Sequence, residues 1–184
     1  MPSVLIPLAP GFEDLEAITI IDLLRRAQVS VTVAGLHGAE PVTGSRGTTV
    51  IPDVALDQVL DDDFDMISLP GGLPGADHLN DDPRIQALVK KMAQGGQYTT
   101  AICAAPKVLA TAGVLDGKRA TSFPGQLTAV GNEQIELVEA PVVMDGKVIT
   151  SRGPGTAMDF ALALIEQLCG KPRREEVEAP LQRP

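Results

Sequence analysis

Cys103 is the residue whose chemical type and position are best suited to nucleophilic chemistry. It stands between an apolar run that predicts a buried strand, Tyr98–Ile102, and a run that predicts a helix, residues 105–112. In an α/β protein such a junction lies at the carboxyl edge of the sheet, where ligands bind and helix N-termini point. There the pKa of a cysteine can fall from about 8.5 to between roughly 3.5 and 7.5. Cys103 is thus a candidate nucleophile, and a small buried apolar residue is the alternative interpretation.

Two further features could complete a site around Cys103. Gly71 and Gly72 follow a predicted strand, and their backbone N–H groups can approach a bound oxygen because they have no side chains. With the N–H of Ala104 they could form an oxyanion hole, although a simple tight turn is the alternative. Glu16 lies between two apolar neighbours near the start of the first predicted helix and could turn inward. A buried carboxyl there would have a raised pKa and could donate a hydrogen bond to a thiolate or shuttle a proton.

The other acidic, imidazole and thiol groups have simpler interpretations. Glu13 and Asp14 are expected to complement the positive end of the helix dipole. His37 and His78 fall in predicted loops and are expected to be solvated, and Cys169 is expected to be a small apolar residue near the end of the last helix. No two histidines have helical spacing and no CxxC motif exists, so no zinc site is expected. Alanine follows the candidate nucleophile, which argues against a cysteine protease whose thiol needs an imidazole.

The composition is that of an ordinary globular protein with an acidic balance. The 184 residues include 24 acidic and 15 basic residues, which give a net charge of −9, and no segment clusters Lys and Arg. Tight, charge-driven binding of nucleic acid is therefore not expected. No run approaches the roughly 20 apolar residues of a membrane helix, and no secretory signal opens the chain. We expect a single domain over residues 1–184 in a cytoplasmic protein with reduced thiols.

Short apolar runs alternate with amphipathic ones, which is the pattern of strand–helix–strand units with parallel strands. The first strand covers residues 4–8, the first helix 13–27 and the second strand 29–34. The further predicted elements are strands at 48–51, 66–69 and 119–121, a helix opened by Asp82 and closed by Gly95 and Gly96, a hairpin of strands 142–144 and 148–150, and a helix at about 156–168. The chain from about residue 171 is expected to lie on the surface as a tail. The sequence predicts an α/β fold whose central sheet is mainly parallel, with one antiparallel excursion.

Four segments, in order through nearly the whole chain, carry a resemblance to a known family. They are APGFEDLE at 9–16, LPGG at 69–72, AICAAP at 101–106 and TSRGPGT at 150–156. By these motifs the chain resembles the ThiJ/PfpI superfamily, specifically the branch of the Parkinsonism-associated deglycase and the bacterial YajL-like proteins. The resemblance implies a flavodoxin-like three-layer sandwich with a nucleophile elbow, assembled as a homodimer.

The resemblance also assigns roles to individual positions. Cys103 takes the place of the nucleophile, and Glu16 takes the place of a protonated glutamate against its sulfur. Gly72 and Ala104 match the backbone donors of the family's oxyanion pocket. Neither a metal nor an organic cofactor is implied.

Four more residues are expected to line the pocket, namely Gly71, Arg46, Phe123 and Pro124. Arg46 resembles a residue near the pocket on the dimer side of relatives. Phe123 before Pro124 stands where the animal proteins have a histidine before proline. A mechanism that relies on that imidazole is therefore not expected to transfer to this chain.

The activity implied by the resemblance is that of a cysteine-dependent, cofactor-free glyoxalase or deglycase. Its substrates would be methylglyoxal or early glycation adducts, and its role would be protection against carbonyl and oxidative stress. The alternative is a redox-responsive chaperone or sensor in which Cys103 is oxidised to a sulfinate without substrate turnover. A thiol that is accessible and has a low pKa is expected for both the enzyme and the redox-responsive protein.

Overall fold

The strands form one large sheet and two small ones. A computed structural model describes all residues from Met1 to Pro184. The strands are β1 (Ser3–Leu8), β2 (Ser30–Gly35), β3 (Val42–Thr43), β4 (Thr49–Val50), β5 (Val54–Ala55), β6 (Met66–Leu69), β7 (Tyr98–Ile102), β8 (Arg119–Ala120), β9 (Glu136–Leu137), β10 (Val142–Asp145) and β11 (Val148–Ser151). The helices are α1 (Asp14–Arg26), α2 (Gly75–Asp81), α3 (Pro83–Gln94), α4 (Pro106–Thr111), α5 (Gln126–Val130), α6 (Ala157–Cys169) and α7 (Lys171–Glu178).

The large sheet has the strand order β10-β11-β7-β6-β1-β2-β5. Every neighbouring pair is parallel except β10 and β11, which form the predicted antiparallel hairpin. The predicted mainly parallel α/β sheet is therefore confirmed. Because β1, β6 and β7 are adjacent and parallel, the loops that follow them meet at one edge of the sheet.

Successive residues of the central strands point to opposite faces and enter two separate cores. In β1, Leu5 belongs to the core under α2, α3 and α4, whereas Val4 and Ile6 belong to the core under α1 and α6. In β6, Ile67 and Met66 divide in the same way. Helices thus cover both faces, and the predicted three-layer sandwich is confirmed. No helix of the protein is both long enough and apolar enough to span a membrane.

The helix α2 was not expected from the sequence, which predicted a loop around His78. Its seven residues include glycine, aspartate and asparagine, all of which have low helix propensity. Ala76 and Leu79 nevertheless pack into the core at 0% and 1% exposure. Tertiary burial on one face therefore outweighs weak local preference.

The chain after Gly170 is more regular than the expected surface tail, because it forms α7 against α6. Val177 is buried in the same core as α1 and α6. Pro172 occupies the first turn of α7, where its missing N–H costs nothing. Arg174 pairs with both Glu166 of α6 and Glu178 of its own helix. These contacts give a charged segment enough partners to fold.

Candidate active site

Cys103 occupies a sharp turn directly after β7. Its φ of +64° lies in the left-handed region, which non-glycine residues seldom adopt. Two hydrogen bonds hold this backbone: Cys103 N–H donates to the carbonyl of Ser151 at 2.9 Å, and Phe123 N–H donates to the carbonyl of Cys103 at 2.8 Å. Such a conformation persists only where its surroundings fix it. The turn therefore has the geometry of a nucleophile elbow between a strand and a helix.

Glu16 points inward from α1 and is fully buried, with 0% exposure. It belongs to the same stripe of the helix as Ile20, Leu23 and Leu24, which are also buried. The N–H of Gly71 donates to Glu16 Oε2 at 2.9 Å, while Oε1 has no hydrogen-bond donor. Burial, against the hydrogen bonds it receives, raises the pKa of Glu16 to about 7.

The Cys103 side chain lies beside the Glu16 carboxyl, so each group influences the pKa of the other. Burial at 8% exposure, together with the negative charge of Glu16, raises the pKa of Cys103 to about 12. The N–H groups of Gly72 and Ala104 act on the sulfur in the opposite direction. At neutral pH the thiol therefore keeps its proton, whereas the Glu16 carboxyl, with a pKa of about 7, is partly ionised.

The sequence-based prediction of a lowered thiol pKa is wrong for this pocket. It relied on the dipole of the following helix, but α4 has only six residues and begins at Pro106 rather than next to the sulfur. Burial and a facing carboxylate are stronger local effects. A thiolate must be generated here by transfer of a proton, and a carboxylate with a pKa near neutrality can accept it.

Gly71 and Gly72 have no side chains, and this leaves the space in which Cys103 and Glu16 lie close together. A Cβ on Gly71 would lie 2.7 Å from both the Cβ of Cys103 and Oε2 of Glu16. Gly72 has a φ of +91°, and a Cβ there would lie 2.3 Å from the backbone nitrogen of Glu13. Both positions thus require glycine, and the simple tight turn is not a sufficient description of this loop.

The chain matches a known protein family over most of its length. Residues 2–167 match the model of the DJ-1/PfpI family. The chain belongs to the DJ-1/PfpI family. The dj-1beta protein of Drosophila melanogaster is 46% identical over 175 residues, which cover 95% of this chain and 94% of that protein. Its crystal structure has a TM-score of 0.94 and covers 98% of this chain and 97% of that chain.

Two other DJ-1 relatives extend the comparison. The glutathione-independent glyoxalase DJR-1.2 of Caenorhabditis elegans is 37% identical over 180 residues, 97% of this chain and 95% of that protein. The oxidized DJ-1 of Toxoplasma gondii is 38% identical, has a TM-score of 0.91 and covers 98% of both chains. The resemblance drawn from the four sequence motifs is thereby confirmed.

In this DJ-1 fold, Arg46 lies in a loop tied to the beginning of α1. Asp14 accepts hydrogen bonds from the N–H groups of Arg46 at 2.8 Å and Thr48 at 2.7 Å, and Glu13 accepts one from the Ser45 hydroxyl at 3.1 Å. The interpretation of Glu13 and Asp14 as mere partners of the helix dipole is therefore incomplete. The guanidinium of Arg46 forms no ion pair within the chain.

Phe123 and Pro124 lie beside the elbow and provide no titratable group. The backbone N–H of Phe123 donates a hydrogen bond to the carbonyl of Cys103, and Phe123 is 47% exposed. Both residues line a groove of about 400 Å³ whose other walls include Pro141, Arg152 and Pro154. The surface next to the DJ-1 elbow therefore carries apolar side chains, and its two charged residues, Arg152 and Glu139, form an ion pair at 3.0 Å.

One structural participant was not singled out from the sequence. The carbonyl of Ser151 accepts the N–H of Cys103, and its hydroxyl donates to the carbonyl of Pro141 at 2.7 Å. Ser151 belongs to the TSRGPGT motif, which indicated the family but not the role of this residue in holding the backbone of Cys103. No group of three or more His, Cys, Asp or Glu side chains lies close enough together to hold a metal ion.

Proposed function

We propose that the protein is a cysteine-dependent, cofactor-free glyoxalase or deglycase that acts on methylglyoxal or on early glycation adducts. The single observation that carries the proposal is the buried contact between the Cys103 thiol and the Glu16 carboxyl, with the N–H groups of Gly72 and Ala104 beside the sulfur. The glyoxalase name of a relative at 37% identity supports the same class of reaction.

The first step creates the nucleophile as it is used. The Glu16 carboxylate accepts the thiol proton while Sγ of Cys103 adds to the aldehyde carbon of methylglyoxal. A carbon–sulfur bond forms, and the carbonyl electron pair moves to oxygen. The N–H groups of Gly72 and Ala104 are available to stabilise that oxyanion. A pKa of about 7 lets Glu16 act as base or acid at neutral pH.

The second step is an internal redox exchange that needs no external oxidant. Glu16 first returns the thiol proton to the oxyanion, which gives a hemithioacetal and makes Glu16 a carboxylate again. Glu16 then removes the proton from the sulfur-bearing carbon and delivers it to the neighbouring carbon, while the hydroxyl proton of the hemithioacetal moves to the oxygen of that neighbouring carbon. The first carbon is thereby oxidised to a thioester and the second is reduced to an alcohol. Water then cleaves the thioester, which releases lactate and restores the thiol. With an early glycation adduct, sulfur displaces the amine at the same carbon and the amine is recovered.

Lactate formation from methylglyoxal without glutathione tests this proposal. The parent protein, with Cys103 shown to be reduced by intact mass, is expected to produce lactate. Cys103→Ala is expected to lose the activity, whereas Cys169→Ala, which alters the other thiol, is expected to keep it. Absence of turnover from a fully reduced parent would refute the enzymatic proposal.

The second candidate function is a redox-responsive sensor or chaperone in which Cys103 is oxidised to a sulfinate. One relative, the DJ-1 of Toxoplasma gondii, was solved in an oxidized form. A protonated Glu16 and two backbone N–H groups could hold the sulfinate oxygens. Glu16→Gln keeps a hydrogen-bond donor, so it should spare oxidation while removing turnover. Glu16→Ala should impair both, and the two variants together separate the functions.

We further propose that the protein forms a homodimer through the layer of α1 and α6. Apolar side chains remain exposed on both helices, with Leu15 at 51%, Ile18 at 41% and Met158 at 43%. Such side chains on adjacent helices favour a buried contact between copies. Sedimentation of the parent is expected to give the dimer mass, and Ile18→Glu the monomer mass. A monomeric parent would refute this assembly.

A further inference from the structure

The only two histidines of the chain, His37 and His78, lie ring against ring although they are far apart in the sequence. Their ring centroids are 6.2 Å apart, and the ring planes meet at 74°. Both side chains are exposed, His37 in the turn after β2 and His78 within α2. The pair therefore faces solvent at a junction of two elements.

The backbone beneath both rings is anchored. Leu36 and Leu79, the immediate neighbours of the histidines, are each 1% exposed and belong to the same core. The carbonyl of Leu36 accepts a hydrogen bond from the Arg84 guanidinium at 2.8 Å. The two imidazoles are thus held near each other by packed residues, and only their side-chain torsions remain free. Such preorganisation lowers the entropic cost of binding a shared ligand.

The spacing suits a metal ion shared by both rings. A zinc–nitrogen bond is about 2.0–2.1 Å long, so two imidazoles on one ion have centroids about 5 Å apart. Rotation about the side-chain torsions of the two exposed residues is required to shorten the separation from 6.2 Å and to turn a nitrogen of each ring toward one ion. Imidazole favours borderline divalent ions such as Zn²⁺ and Co²⁺ over Mg²⁺, which prefers oxygen ligands.

Although the sequence spacing predicts no zinc site, the fold brings the two rings together, and we propose that His37 and His78 form a binding site for a borderline divalent transition-metal ion, with water in the remaining coordination positions. The site is separate from the Cys103 pocket and does not depend on the proposed reaction. The bound ion ties α2, which follows the Gly71–Gly72 loop, to the turn after β2.

Titration of the full chain with Zn²⁺, followed by calorimetry, tests the site. The parent is expected to bind one equivalent, and His37→Gln and His78→Gln are each expected to weaken binding by about tenfold or more, because each leaves a single imidazole. Mg²⁺ is expected not to bind. Thermal unfolding without metal checks that the variants keep the parent's midpoint, as exposed substitutions should.

Cys103→Ala and Cys169→Ala are the matched controls, because a thiol is the competing ligand. Each is expected to keep the parent's Zn²⁺ affinity, and Co²⁺ bound to the parent is expected to show no thiolate charge-transfer absorption. Binding that survives the loss of both histidines, or that disappears with either cysteine, would overturn the proposal.

Discussion

Glu16 and Asp14 share the first turn of α1, yet their surroundings drive them to opposite chemistry. Glu16 is fully buried with one backbone donor, and burial raises its pKa to about 7. Burial also acts to raise the pKa of Asp14, but hydrogen bonds from Thr48 and Arg46 outweigh it and hold that pKa below its usual value. The contrast teaches that the number of donors, rather than burial alone, decides whether a buried carboxyl keeps its proton.

The largest expected difference between the two carboxyls is in turnover. Glu16→Gln removes the group that we propose moves the proton, and it is expected to lower kcat for lactate formation by about 10²-fold or more. Asp14→Asn changes a carboxyl that binds only a loop, and is expected to leave kcat close to that of the parent. Equal losses in both variants would show that Glu16 acts through structure alone. Circular dichroism of each variant serves as the folding control.

The two carboxyls should have opposite effects on how the free energy of unfolding depends on pH. Between about pH 4.5 and pH 7 the unfolded chain loses the Glu16 proton while the folded chain keeps it, so raising the pH favours unfolding. The rise from 4.5 to about 7 corresponds to a loss of about 3 kcal/mol in the free energy of unfolding, which is complete only above pH 7. Asp14, whose folded pKa is lowered, instead contributes stability above its usual pKa that is lost on acidification.

Urea unfolding of the parent and Glu16→Gln across that pH range measures the effect. The difference between the two is expected to change with pH by about 3 kcal/mol. The Cys103 thiol does not interfere, because the stability that depends on its protonation is lost only above pH 9. A parallel pair of curves would mean that Glu16 titrates alike in the folded and unfolded chain.

The close packing of Cys103, Glu16 and Gly71 offers a third test. Gly71→Ala would bring a methyl group to 2.7 Å from both Cys103 Cβ and Glu16 Oε2. Such overpacking is expected to cost about 1–3 kcal/mol of the free energy of unfolding and to abolish turnover. Gly155→Ala is the matched control, because a Cβ there meets nothing within 4 Å. Chemical unfolding of both variants gives the comparison.

The smallest expected effect is that of replacing Asp14. Asp14→Ala leaves the N–H groups of Arg46 and Thr48 without their acceptor, and both residues are exposed enough for water to replace it. We expect a loss of about 1 kcal/mol in stability. Faster amide hydrogen exchange at Arg46 and Thr48, with unchanged exchange at Gly71, would localise the effect to the loop.

The central strands and the turn at Cys103 could be anticipated from the sequence because each depends on a local pattern. The apolar run ending at Ile102 is visible in a short window, whereas the helical pattern did not include Glu16 among the inward residues. The family motifs then paired Cys103 with Glu16, a contact that periodicity alone could not supply.

What the sequence did not reveal depends on contacts between distant segments. The raised pKa of Cys103 arises from burial and from Glu16, which comes from another element. The helix around His78 forms because Ala76 and Leu79 reach the core, despite weak helix propensity. The loop contacts of Asp14 join residues far apart in the chain. Each is a tertiary effect that outweighs a sound local expectation.

The complete burial of Glu16 has an isotopic consequence. A carboxyl sealed from water exchanges its proton only when the pocket opens. In the proposed reaction, a hydrogen isotope that Glu16 takes from one carbon would therefore be returned to the next carbon before it is diluted. Methylglyoxal deuterated at the aldehyde carbon should then yield lactate that carries part of this deuterium at the adjacent carbon. The fraction retained would compare the rate of proton return with the rate at which the pocket admits water.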